Sequence, residues 1–113
     1  MEAQEIYDKV KAHLLTQGER STDMGNHCLY RGPNGLKCAV GCLIPDDLYD
    51  PLMEAPGNNS VIAVAALCPA LRELWGGHNL GLISVLQGVH DGYHPIVWKK
   101  RLSIAAIKYG LDP

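Results

Sequence analysis

Phenylalanine is absent from this chain, and so is any apolar run approaching the roughly 20 residues that cross a bilayer. The first absence leaves aromatic packing to Trp75, Trp98 and five tyrosines. The second weighs against a helical membrane span. No Walker loop, G-x-G-x-x-G or H-E-x-x-H is present, which argues against standard nucleotide hydrolysis and metalloprotease chemistry. The tight C-x2-C knuckle of zinc modules is missing too. Charge is sparse: 19% of residues carry it and the net is −2, which disfavours general nucleic-acid binding. The N-terminal MEAQEIYDKV is acidic and amphipathic, unlike a signal peptide, so an intracellular protein with reduced thiols is expected.

What is present reads as one globular domain, residues 1–113, with 47% hydrophobic residues. Charge is uneven. Residues 1–57 hold nine acids and five bases, residues 58–113 three acids and five bases, so any basic face lies toward the C-terminus. Ile6, Tyr7, Val10 and Leu14 recur at helical spacing and predict a helix over 3–17 that Gly18 ends. Residues 19–27 read as a polar loop. Ser60 is placed to cap a helix over 61–67, and Pro69 to open another over 69–75 that Gly76-Gly77 closes. Asn79 is placed to cap a helix to about His90, broken by Asp91-Gly92. Pro95 opens the last, to Tyr109.

The centre of the chain is CLYRGPNGLKCAVGCLIP, residues 28–45, with three of the four cysteines. Gly32-Pro-Asn-Gly35 is a turn signal between two short apolar arms and predicts a β-hairpin. The second arm, 38–44, is apolar throughout, so its periodicity fits a strand or a helix. Asp46 is placed to cap a short turn through Tyr49. The expected class is therefore α+β: a mostly helical domain of about five helices with one small hairpin.

Four constellations could carry chemistry. Cys28, Cys38, Cys42, His27, His90 and His94 include zinc-type ligands, so a small zinc-stabilised interaction module is one reading. Cys38 and Cys42 would lie roughly 13 Å apart on a strand, too far to share an ion; buried cysteines packing as small apolar groups is the competing reading. Cys28 could face Cys38 or Ala39 across the hairpin, and one residue of register decides whether a disulfide is feasible. Cys38 followed by His78, His90 or His94 has the chain order of papain-like hydrolases, but no strands follow to carry the histidine. Finally, Tyr30, Arg31, Lys37, Asp46, Tyr49, His90 and Asp91 are polar or aromatic groups near element ends. Together they form a candidate binding surface, with Arg31 able to take a phosphate or carboxylate and a tyrosine to stack on a base.

The pattern Cys28, Tyr30-Arg31, Gly35, Lys37-Cys38-Ala39, Gly41, Leu43 to Asp46, Tyr49, then Leu86-Gln87, His90-Asp91 and Trp98 resembles a group of small phage and prophage accessory proteins with no assigned activity. The likeness spans 28–98. It departs where such proteins carry Glu-Gly and this chain reads Glu54-Ala55-Pro56-Gly57. The resemblance implies action in the host bacterial cytoplasm by binding, without cofactor, metal or membrane. The implied partner is a host protein or a small nucleotide-like ligand, host defence being one such target. A homo-oligomer that builds its site between copies belongs to the same expectation. A cysteine hydrolase using Cys38 is the enzymatic rival.

Overall fold

The computed structural model describes residues 1–113. Its architecture is five α-helices: α1 (Ala3–Gln17), α2 (Val61–Leu67), α3 (Pro69–Trp75), α4 (Leu80–Gly92) and α5 (Trp98–Lys108). Helix α1 buries Ile6, Tyr7, Val10 and Leu14 against α4, α5 and the turn at Gly41–Leu43, and stops where Gly18 takes a left-handed conformation at φ 72°. The Ser60 side chain accepts from Ala63 N–H to start α2. Pro69 begins α3, and Gly76, at φ 86°, ends it. One core of 24 buried hydrophobic residues joins all five helices, with Trp75 and Trp98 fully enclosed. Trp75 Nε1 donates to the Leu43 carbonyl at 3.0 Å, tying α3 to the central segment. No helix is long and apolar enough to cross a membrane.

The expected β-hairpin does not form, and the fold is all-helical rather than α+β. The single bridge pair is Thr22 with Cys28, upstream of the expected turn. Residues 38–44 coil instead: Cys42 N–H bonds to Cys38 O, Leu43 N–H to Val40 O and Ile44 N–H to Gly41 O. The physical reason is burial on every side. Cys38, Ala39, Val40, Leu43 and Ile44 are all enclosed, whereas a strand with one wet face would bury alternate residues only. Gly41 lies against the Tyr30 backbone, where the arms of a hairpin would instead exchange ladder bonds.

Residues 18–59 thus run through the protein with neither α-helix nor sheet, and their backbone donors need partners. Side chains supply them. Lys37 N–H donates to Gln17 Oε1, Val40 N–H to Gln87 Oε1, Tyr30 and Arg31 N–H to the Glu54 carboxylate, and Ser21 N–H to His90 Nε2. Ser21 Oγ also donates to Leu29 O. Gln17, Glu54, Gln87 and His90 accept the donors that a neighbouring strand would otherwise pair.

Other local expectations shift as well. The turn at Asp46–Leu48 starts from Pro45, and no side chain caps it. Asn79 does not cap α4; its amide donates to Met1 O and Trp75 O. Helix α4 continues through Asp91 to Gly92, which keeps Gln87, His90 and Asp91 at i, i+3 and i+4 on one face.

Candidate functional site

The seven residues singled out from sequence fall into three places. Arg31, Asp46, Tyr49 and Tyr30 gather around Glu54. The Glu54 carboxylate accepts from Tyr30 N–H (2.9 Å), Arg31 N–H (3.0 Å) and Tyr49 O–H (2.9 Å). Arg31 donates to Asp46 Oδ1 at 2.7 Å and to the Ile44 carbonyl at 2.9 Å, and its guanidinium lies 4.7 Å from the Tyr49 ring centre. Tyr30 is buried, with its hydroxyl on Asn58 O. Both terminal guanidinium nitrogens are therefore paired and the plane is stacked, while Nε is buried without a partner. Lys37 stands apart at the end of α1, where its carbonyl accepts from Gln17 and meets His13 Nε2.

Glu54 was not among the sequence candidates, and nothing about an acid in an irregular stretch marks it. Its removal has a calculable effect. Glu54→Ala leaves two backbone donors and a tyrosine hydroxyl without their acceptor, at a cost of about 3 kcal/mol. Urea unfolding of the variant should show it as a lower midpoint with an unchanged slope.

His90 and Asp91 form the third place, joined by Cys28 and Gln87. His90 is fully buried and stacks on Trp98 with ring centres 5.6 Å apart. Its Nδ1 lies 2.7 Å from Asp91 Oδ1, and its Nε2 accepts from Ser21 N–H at 3.0 Å. Gln87 Nε2 donates to both Cys28 Sγ (3.1 Å) and Asp91 Oδ1 (2.9 Å). Ligand atoms of Cys28, His90 and Asp91 lie within 4.8 Å of one another. In the sequence, Gln87 is marked only by the Leu86-Gln87, His90-Asp91 pattern.

A cysteine, a histidine and an aspartate this close invite a triad or a metal site, and the hydrogen bonds occupy both imidazole nitrogens. Because Nε2 accepts a backbone N–H, it carries no proton. The ring proton is therefore on Nδ1, where Asp91 holds it. Neither nitrogen has a free lone pair with which to take a thiol proton. A metal would have to displace the Ser21 N–H from Nε2 or the Asp91-held proton from Nδ1, so neither nitrogen is a vacant ligand as the cluster is hydrogen-bonded.

The thiol is equally unprepared. The neighbouring Cys38 thiol and then burial push Cys28 well above the ordinary cysteine range, and the nearby His90 ring offsets only part of this. A nucleophilic cysteine needs the opposite shift. Cys38 itself is fully buried and its sulfur accepts from Gly41 N–H at 3.3 Å. For His90, burial lowers the pKa, but the adjoining Asp91 carboxylate and Cys28 thiol outweigh it and the net shift is upward. Adding a proton at Nε2 would still break the Ser21 bond.

These raised acids make stability fall on the alkaline side. Burial pushes Cys42 from 9.0 to about 12, and burial followed by the bond to Glu54 takes Tyr49 from 10.0 to about 12. Cys28, Tyr30 and Tyr7 shift the same way. The fold keeps these protons at pH values where the unfolded chain releases them. Their contribution is complete below pH 9 and is lost between 9 and 12. The Cys42 shift alone corresponds to on the order of 4 kcal/mol across that window. Melting temperatures should drop steeply beyond pH 9, less steeply in Cys42→Ala.

A groove of about 880 Å³ opens beside this cluster, between the loops at 20–29 and 54–59. Cys28 and Asp91 lie along it with Thr22, Asn26, His27 and Asn59. Arg20, at its edge, is spent on the carbonyls of His90 and Tyr93. Asp91 uses Oδ1 for Gln87 and His90, which leaves Oδ2 free. The surface offers a ligand acceptor oxygens and amides, with an inert thiol among them. Comparison with protein-family models, curated proteins and solved structures finds no match for the chain.

Proposed function

We propose that the chain is a non-enzymatic binding protein of the phage accessory type, acting in the host bacterial cytoplasm on a host protein, a defence component among the targets that fit. One observation carries the reading: the open polar groove lies beside a cysteine–histidine–aspartate cluster whose imidazole is capped at both nitrogens. Such a surface recognises; it lacks an activated group with which to turn a substrate over. The acceptor-rich lining, Asp23 and Asp91 with Asn26 and Asn59, suits a segment bearing amide or cationic donors. A nucleotide-like ligand is less well supported, because the arginine that would take its phosphate is held by Asp46, the Ile44 carbonyl and Tyr49.

The test is capture of host proteins on the immobilised chain, identification by mass spectrometry, and titration of the purified partner. Asn26→Arg and Asn59→Arg each fill the groove from exposed positions and leave the core alone. Each is expected to weaken the partner at least about tenfold, a loss of some 1.4 kcal/mol. An identified partner that binds both variants as tightly as the native chain would rule out this groove as the site.

A further inference from the structure

A second groove, of about 550 Å³, runs between α4 and α5 and shares no lining residue with the polar one. Gly88, Gly92 and Val85 line it from α4, and Ile104, Arg101 and Lys108 from α5. We infer that this groove docks an amphipathic helix from a partner protein, one with an apolar ridge and acidic flanks.

Three observations meet there. First, the face is apolar and uncovered: Ile104 is 48% exposed and Ile107, one turn along, 67%. Second, the groove is open above its glycines. A Cβ added at Gly88 or Gly92 would meet nothing within 4 Å, so internal packing does not call for glycine at either position. Gly88 lies inside a helix, where glycine is less favourable than alanine. Its benefit is the close approach of a second backbone. Third, the charge has one sign. Arg101 and Lys108 line the groove with no acid among the lining residues, and Lys99 and Lys100 precede them on α5. Arg101 is steadied 4.3 Å over the Tyr93 ring. An apolar trough edged by cations fits the helix-in-groove mode of recognition, with Asp or Glu beside the ridge.

A second copy of this chain fits poorly. Helix α1, whose Glu5 and Asp8 are balanced by Lys9 and Lys11, turns Ile6, Val10 and Leu14 inward and leaves only Leu15, 38% exposed, as a large apolar group outside. Helix α5 would bring cations to cations.

The probe is a displayed library of helical peptides with apolar residues fixed at i, i+3, i+4 and i+7 and all flanking positions randomised. Selection on the native chain should enrich Asp and Glu in the flanks. Selected peptides should shift the amide resonances of Gly88, Gly92 and Ile104, and should bind more weakly as salt rises. Ile104→Glu and Gly88→Leu should each reduce affinity about tenfold or more while the circular dichroism spectrum stays native. Asn26→Arg and Asn59→Arg should leave this binding unchanged, which separates it from the fate of the polar groove. Any of four outcomes would overturn the inference: no peptide selected, Lys or Arg enriched in the flanks, binding indifferent to Ile104→Glu, or a native dimer in light scattering that Ile104→Glu splits.

Discussion

Gly41→Ala is expected to remove most of the stability of the fold, although it adds one methyl group. An alanine Cβ at this position would sit 2.0 Å from the Tyr30 carbonyl oxygen and 2.9 Å from its carbon. Both are backbone atoms and cannot swing aside as a side-chain tip would. Either the 38–43 coil or the 28–31 segment must retreat. That retreat loosens the Cys28–Cys38 contact and the hold of Glu54 on Tyr30 and Arg31. The cost should reach about 4 kcal/mol or more, a large share of the 5–15 kcal/mol typical of a small domain. Gly88→Ala supplies the contrast. It adds the same methyl group in open space within a helix, so it should raise stability by about 1 kcal/mol. Opposite signs for the two alanines in one urea series would show that contact, and not loss of glycine, governs each.

His90→Phe is expected to cost about 3 kcal/mol, as much as Glu54→Ala. A phenyl ring preserves bulk and can stack on Trp98, so packing is largely kept. The acceptor for Ser21 N–H is lost in a site where Ser21 is fully buried, and Asp91 loses a donor. An orphaned buried N–H costs about 1–3 kcal/mol by itself. The damage should be local first. Hydrogen exchange at Ser21 and Leu29 should accelerate more than exchange in α1, because those amides secure the 18–59 segment to α4 and to itself. Equal acceleration in both places would mean that His90 supports the fold generally, with no special hold on residue 21.

Much of the helical frame was legible because its signals are local. The stripe of Ile6, Val10 and Leu14, the stop at Gly18, the Ser60 cap and Pro69 each work within a few residues of themselves. The central segment was not legible in the same way. A turn signal at Gly32–Gly35 does form a tight turn, with Gly32 N–H on Leu36 O and Leu36 N–H on Pro33 O. The path of the chain on either side of that turn depends on distant partners: Glu54, Gln17 and Gln87 take the donors that a hairpin would have paired. No window of local sequence contains that competition. The contacts of the polar residues were hidden for the same reason. Arg31, Tyr49 and Asp46 look like a recognition set when their neighbours are unknown, and like a brace once Glu54 and the Ile44 carbonyl are placed.

The His90 tautomer is the most direct test of the central claim, that a capped imidazole makes the cluster structural and the groove beside it a recognition surface. Nitrogen-15 NMR of the imidazole at neutral pH reads both ring nitrogens at once. Expected is a proton on Nδ1, a bare Nε2, and a coupling across the hydrogen bond from Ser21 N–H to Nε2. A proton on Nε2 with Nδ1 bare would contradict it, since that ring could accept a thiol proton or bind a metal beside Cys28.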